Sequence, residues 1–478
     1  MKARHTLLFI IAVIALLGLL CVVFPKDGIT IGDKHLHFAS LEKILTPKQE
    51  LNLDSLMAVR AEAETQLNSL KDSIVYYEHH IDSSDLRFWF PGDDPAFFDE
   101  FFQKAEQARE NHTVVRVLHY GDSQIEMDRI SSRLRSYMQR HFGGGGPGMV
   151  PIQTIIPSYA ISQYAQGNLS LQTCFGDSLG LRANGNYGPM VQCFRLVGDA
   201  SADFKASQHA ATEERVKHFS TIKLLFNNRP GPLTATLTDR KHNIRLPQEE
   251  ASQEGVEMFC WELDSCTESL RLSLHGSADI YGVMLDDGPG VSVDNIPMRG
   301  CSGQQFSMIN KQQLEAAYNR IDVGLIILQF GGNSVPYLHP GKSLETYCKS
   351  MGKQIDRLHE VCPGARILFV GPSDMSTSVS GNLQSYPAME SIISSLRDTA
   401  LSHGAAYWSI YHAMGGHNSM LAWVSKGWAG SDYIHFSSKG ADLMGDLMAD
   451  AFDRIYTYYR LRRQYLSKQQ QYDSTYEE

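Results

Sequence analysis

The chain has 478 residues, with 43 Lys and Arg against 53 Asp and Glu for a formal net charge of −10, and 43% of its residues are hydrophobic. This is the composition of a globular protein large enough for two or three cores, and it excludes collagen, coiled-coil rods and polytopic membrane proteins. No Lys/Arg cluster of useful size follows the first few residues, which argues against a nucleic-acid partner, because phosphate binding needs a basic face.

In chain order, the first feature is Leu7–Phe24, an uncharged apolar run preceded by Lys2 and Arg4. As a helix rising about 1.5 Å per residue it is just long enough for a hydrocarbon layer roughly 30 Å thick. Basic residues stay inside, so the run reads as an uncleaved anchor with the N-terminus cytoplasmic and the remainder extracytoplasmic, in the periplasm if the cell is Gram-negative. A cleaved signal peptide is the alternative, although Cys21-Val22-Val23-Phe24-Pro25 lacks a small-residue cleavage site.

Residues 1–25 are therefore assigned to a cytoplasmic tip and transmembrane anchor. Residues 26–111 are polar and charge-dense, with helices expected at Leu53–Tyr77 and from Asp94-Pro95, and read as a spacer. Val114–Leu118 is a β-branched run ending in His119-Tyr120-Gly121-Asp122-Ser123, followed by a helix with Ile130, Leu134 and Met138 on one face. Strand-loop-helix units recur at Leu325–Leu328 before Gly331-Gly332-Asn333 and at Ile367–Val370 before Gly371-Pro372-Ser373. A last strand at Ala405–Trp408 leads to a helix at Ser438–Tyr458. Apolar strands alternating with amphipathic helices specify an α/β domain with a parallel sheet covered on both faces, its functional loops at the carboxyl ends of the strands.

Between Ala160 and Leu285 the texture changes. Short strands at Ile222–Phe226, Leu233–Leu237, Met258–Leu263, Leu270–Leu274 and Ile280–Leu285 are separated by Asn-Asn-Arg-Pro-Gly-Pro, Asp-Ser and His-Gly-Ser turns, with no helix among them. This predicts an antiparallel β-sandwich over 161–285, inserted between two parts of the α/β domain, 112–160 and 286–460, with a polar tail over 461–478.

Gly121-Asp122-Ser123 sets a hydroxyl where a strand gives way to a helix start, a place that favours developing negative charge, or else an ordinary Asp/Ser cap. Asp432-Tyr433-Ile434-His435 lies in the loop before the last helix. An Asp three residues ahead of a His can accept its Nδ1–H and leave Nε2 free to take a hydroxyl proton. Serine attack on an acyl carbon also needs oxyanion donors. The candidates are the Ser123 backbone N–H, Asn333 after the strand that begins at Leu325, and the glycines of Arg299-Gly300-Cys301-Ser302-Gly303.

Together, Gly-Asp-Ser, Arg-Gly-x-Ser-Gly, Gly-Gly-Asn and Asp-x-x-His resemble the four blocks of the SGNH (GDSL-type) hydrolases. The longer strings His119–Gln124 and Ile434–Gly440 strengthen the resemblance, while Ser334 stands where many members have Asp. The resemblance implies an SGNH/flavodoxin-like three-layer αβα fold. It implies Ser123 as nucleophile, Asp432 and His435 as acid and base, and Ser123, Gly303 (Gly300 less well) and Asn333 as oxyanion donors, with no cofactor and no metal. The inserted sandwich is similar in layout to that of bacterial peptidoglycan O-acetylesterases, where it resembles a carbohydrate-binding module. The expected function is a serine esterase removing O-acetyl or other small acyl groups from an envelope or extracellular polysaccharide through an acyl-enzyme. Two alternatives stay open: a polysaccharide O-acetyltransferase with an integral-membrane acyl-donor partner, and a non-catalytic glycan-binding envelope protein.

Other features read as structural. Gly143–Gly146 resembles a phosphate loop, but no Gly-Lys-Ser/Thr follows. Met414–Met420 reads as a rigid turn or part of a pocket, and Trp423, Trp428 and Tyr433 as core packing or a sugar-stacking rim. Eight cysteines offer three sequence-near pairs, Cys174/Cys193, Cys260/Cys266 and Cys348/Cys362, or remain reduced. No CxxC pair or H-x-x-x-H arrangement supports a zinc site.

Overall fold

The computed structural model describes the chain except residues 1–2, 26–27, 33, 37–52, 177–184, 209–212, 229–231, 240, 243, 251–254 and 477–478. Two compact units are present, Met1–Ser69 with Ser467–Glu478, and Leu70–Leu466. Residues 229–231 of the expected Asn-Asn-Arg-Pro-Gly-Pro turn lie outside the described residues.

In the first unit, the helix Ala3–Val23 contains a window from Arg4 to Val23 of mean hydropathy 3.2, long and apolar enough to cross a membrane. A short antiparallel hairpin pairs Ile29–Ile31 with Lys34–Leu36. The expected tail from residue 461 is instead the end of a helix running unbroken from Ser438 to Tyr476. Its residues are good helix formers, and it has partners within this unit. Arg60 Nε donates to the Tyr472 hydroxyl at 2.9 Å, and Lys468 Nζ donates to Gln66 Oε1 at 2.5 Å.

The second unit is built on a six-stranded sheet. Its order is Gly290–Pro297, Val114–Gly121, Val323–Gln329, Arg366–Gly371, Ala406–Ser409 and Phe88–Trp89, with only the last pairing antiparallel. Side chains alternate across it, apart from an irregularity between Val323 and Leu325. Val115, Val117, Leu325, Ile327, Leu368, Val370, Ala406 and Trp408 face one buried cluster, which also holds Leu134 and Met138 of the helix Ser131–Phe142 and Met444, Met448 and Phe452 of the last helix. Leu118, Tyr120, Ile326, Leu328, Ile367, Phe369 and Tyr407 face the other, with Met351, Ile355 and Leu358 of Lys342–Val361 and Ile392 and Leu396 of Met389–Ser402. Apolar strands covered on both sides give three αβα layers, the arrangement that the sequence pattern specifies.

Two parts of this sheet carry weak sequence patterns. Gly290–Pro297 holds a buried Asp294 in its middle, and Phe88–Trp89 is only two residues long. The region expected as a spacer therefore contributes to the core. Phe98, Phe101 and Phe102 are buried, and the helix there starts at Asp99 rather than Asp94, whose side chain instead accepts the Ala96 N–H at 2.9 Å.

The antiparallel part has eight strands hydrogen-bonded into one network through the long strand Ser269–Asp286. Its first half lies between two neighbours, with Leu272 opposite both Ala202 and Leu237. Its second half lies between two others, with Leu285 opposite Ile222 and Gly148. Both halves contribute to one core that includes Phe194, Phe204, Phe226, Leu237, Trp261 and Leu272. The expected turn at His275-Gly276-Ser277 is a continuous stretch of this strand, in register with Val197–Asp199. Gly276 has φ +132, and a Cβ there would lie 2.3 Å from the Pro232 carbonyl oxygen, so the glycine serves a close strand approach rather than a reversal. The Asp-Ser turn expected at 264–265 likewise lies within the strand Gly255–Thr267, at a register shift.

The junction with the parallel sheet is charged and buried. Arg116 donates to Asp294 at 2.9 and 3.0 Å and pairs with Asp286, and all three are buried. The Gly143–Gly146 run belongs to this junction. A Cβ on Gly144 would lie 2.8 Å from the Val291 oxygen, and one on Gly146 would lie 2.2 Å from the Leu285 oxygen, so close backbone contact accounts for these glycines. Among the described residues no disulfide joins any of the three candidate cysteine pairs.

Candidate active site

The strands Val114–Gly121, Val323–Gln329 and Arg366–Gly371 all end at the same edge, where the turns that follow them meet the loop before the last helix. Ser123 opens a 3-10 turn capped by Asp122, whose carboxylate accepts the Gln124 N–H at 3.0 Å. A hydrogen bond of 2.8 Å joins Ser123 Oγ to His435 Nε2. On the far side of the ring, His435 Nδ1 lies 2.8 Å from Asp432 Oδ2. The Asp432–His435 loop closes tightly because Tyr433 adopts φ +58 and Asp432 Oδ1 accepts the N–H groups of Ile434 and His435 at 3.0 and 3.1 Å. The three residues chosen from sequence thus form one hydrogen-bonded row across 312 positions of chain.

Electrostatics differ between the two aspartates. Burial pushes the Asp432 carboxyl up, but the hydrogen bonds from the His435 ring and from two backbone N–H groups outweigh it, leaving the carboxyl below its ordinary range and so charged. Asp122 is buried against the same cavity, and desolvation raises it to about 6 despite the Gln124 N–H and the nearby His435 and Arg129.

Ser123 and His435 open onto a cavity of about 220 Å³ whose wall includes Asn333, Phe330, Tyr337, Met375 and Ile434. Asn333 Nδ2 donates to the Cys301 carbonyl at 3.0 Å and reaches Asp122 Oδ2 at 3.4 Å. This draws the 299–303 loop to the same edge. Gly303 itself is outside the cavity lining. It has φ +84 and packs against Phe330, where a Cβ would lie 2.7 Å from the ring. Gly300, at φ +73, has open space around it. Arg299 anchors the loop through a two-pronged pair with Glu126 at 2.5 and 2.7 Å.

No residue of Met414–Met420 lines the cavity. The Met420 N–H bonds to Asp374 at 2.9 Å, as suits a rigid turn. Trp423 is buried, packs on Trp428 and Phe436 at ring distances of 5.4 and 5.0 Å, and donates to the Met414 carbonyl, so it supports the His435 loop from behind rather than forming a rim. Sequence reasoning missed Arg129, which has no motif of its own. Gln124 lies within the serine block, where the motif gives it no role of its own.

The sequence profile described as GDSL-like Lipase/Acylhydrolase family matches residues 264–443. That range contains Gly303, Asn333, Asp432 and His435 and leaves Ser123 outside. No curated protein matches the chain. Among solved structures, a peptidoglycan O-acetylesterase is 19% identical, with a TM-score of 0.61 over 78% of this chain and 99% of its own, and shares the fold. A family two carbohydrate esterase from Cellvibrio japonicus is 10% identical, with a TM-score of 0.25 over 62% of this chain and 99% of its own. Residues 264–443 thus match a GDSL-like lipase/acylhydrolase model, and the chain shares its fold with the peptidoglycan O-acetylesterase.

Proposed function

We propose that the protein is a serine esterase that removes O-acetyl or other small acyl groups from an envelope or extracellular polysaccharide, held at the membrane by its N-terminal helix with the enzyme domain outside the cytoplasm. The observation that carries this reading is the Ser123–His435–Asp432 row, with 2.8 Å at each link, opening on a cavity. His435 Nε2 takes the Ser123 proton as Oγ bonds to the acyl carbon. The carbonyl electron pair moves to oxygen as the tetrahedral centre forms. As that centre collapses, the C–O bond to the sugar breaks, and His435 returns the proton to the leaving sugar oxygen. Water then adds to the acyl-enzyme by the same steps, releasing the acid and restoring Ser123. Asp432 holds the ring with Nε2 toward the serine.

The oxyanion donors are the Ser123 N–H and the Asn333 amide, whose longer bond to Asp122 is the one that yields to substrate. The third donor, the Gly303 N–H, follows from the family resemblance alone. The polysaccharide substrate is supported by that resemblance and by an exposed Tyr337 at the cavity mouth, a surface on which a sugar ring can stack.

The test uses the full chain in detergent micelles. A fluorophosphonate probe labels the parent and not Ser123→Ala, and the parent releases acetate from an O-acetylated polysaccharide. Labelling of Ser123→Ala at the parental rate refutes the reading. Acetyl transfer to an added oligosaccharide in place of acetate release converts it to an acetyltransferase.

A further inference from the structure

Two side chains that follow Ser123 closely in the chain bond to the backbone flanking His435. Gln124 is only 8% exposed, and its amide donates through Nε2 to the Ile434 carbonyl at 2.7 Å and accepts the Phe436 N–H through Oε1 at 3.3 Å. A single amide thus spans the histidine as a neighbouring strand would, satisfying one acceptor before it and one donor after it. Arg129 works from the other side. Its Nη2 donates to the Ser123 carbonyl at 2.6 Å, its Nη1 to the Phe436 carbonyl at 3.0 Å, and its Nε to the Glu126 carbonyl at 3.0 Å.

These contacts have a bearing on rate because the imidazole is not enclosed. The side chain of His435 is 41% exposed, and that of its partner Asp432 is 49% exposed. Solvent-facing side chains on a loop drift unless the loop is fixed, and displacement of a reacting group by about 1 Å can cost about a hundredfold in rate. Glutamine suits the position chemically. Glu in its ionised form could accept from Phe436 but would set a carboxylate against the Ile434 carbonyl, and a purely apolar residue would leave both groups unsatisfied.

We infer that Gln124 is a positioning residue for the reaction: it sets the reach of the His435 imidazole to Ser123 Oγ by holding the backbone on both sides of the histidine, with Arg129 tying the Ser123 carbonyl to the same loop. The inference rests on the reading of Ser123 and His435 as the reacting pair.

The experiment compares the full-length parent with Gln124→Met, close in shape but without hydrogen bonds, and with Gln124→Glu. Hydrolysis of p-nitrophenyl acetate, fluorophosphonate labelling rate and thermal midpoint are the readouts. Gln124→Met is expected to lose about 10- to 100-fold in kcat, with KM within about twofold and the midpoint within a few degrees. Gln124→Glu regains a donor only when its carboxyl is protonated, so the ratio of its labelling rate to that of Gln124→Met is expected to rise about tenfold as pH falls from 8 toward 5. The ratio removes the pH dependence of the probe itself, which is common to both variants. The inference is overturned if Gln124→Met keeps kcat within twofold of the parent. It is also overturned if kcat and thermal midpoint fall together while the Glu/Met ratio stays flat with pH, which marks a purely structural role. Residual parental activity in Ser123→Ala would instead defeat the esterase reading and leave the clamp geometry untouched.

Discussion

Asp432 accepts three hydrogen bonds within its own loop, one from the His435 ring and two from backbone N–H groups, so a neutral amide at this position changes the tautomer of the ring more than the shape of the loop. Asp432→Asn is expected to lower kcat by about 10³-fold or more with little change in KM, read with p-nitrophenyl acetate. Asp122 is the other informative carboxyl, and its sign is opposite. Its folded value of about 6 lies above the unfolded value of about 3.9, so the folded state holds the proton more tightly. Its stabilising contribution is therefore complete below about pH 4 and is lost as pH rises to about 6. Asp122→Asn removes this titration. The stability difference between the parent and the variant should shift by about 2–3 kcal/mol against the parent over that interval, as measured by urea denaturation at each pH.

At the scale of the element, the last helix delivers His435 only if its first turn seats against the preceding loop. Gly440 makes that possible. A Cβ there would lie 1.8 Å from the Trp428 carbonyl oxygen, the same oxygen that accepts the Ser437 N–H at 3.0 Å. Gly440→Ala should therefore cost stability at the upper end of overpacking, about 3 kcal/mol. It should also depress activity beyond what unfolding explains, because the helix start must move away from the loop; thermal melts paired with kcat separate the two effects. Gly303→Ala is a milder case, in which the left-handed backbone and the Phe330 ring both resist a methyl group. A loss of about 1–2 kcal/mol is expected, with denaturation as the check.

At the scale of the whole second unit, the parallel sheet and the antiparallel part are joined by the buried Arg116–Asp286–Asp294 cluster, and Asp294 also accepts the Met149 N–H at 2.8 Å. Arg116→Met leaves two buried carboxylates uncompensated and should cost about 3–5 kcal/mol of unfolding free energy. Replacing all three members with apolar residues of similar volume should recover much of that loss, since the desolvation cost of the cluster disappears with the charges.

Local sequence is enough to specify the apolar strand runs, the helices between them with their inward faces, an apolar helix near the N-terminus and the two short blocks that bring a serine and a histidine to one sheet edge. Each of these is local: alternation, helical spacing and motif content are fixed within about a dozen residues by side-chain chemistry and backbone periodicity. Tertiary structure decided what depends on partners far along the chain. It recruited Gly290–Pro297 and Phe88–Trp89 as sheet strands, the first despite an aspartate that Arg116 and the Met149 N–H make tolerable. It carried a strand straight through His275-Gly276-Ser277, where local composition favours a turn, because pairing with Val197–Asp199 satisfies the backbone there. It also gave Gln124 and Arg129 their contacts with Ile434 and Phe436, since a hydrogen bond across some three hundred residues leaves no mark on either side of the sequence.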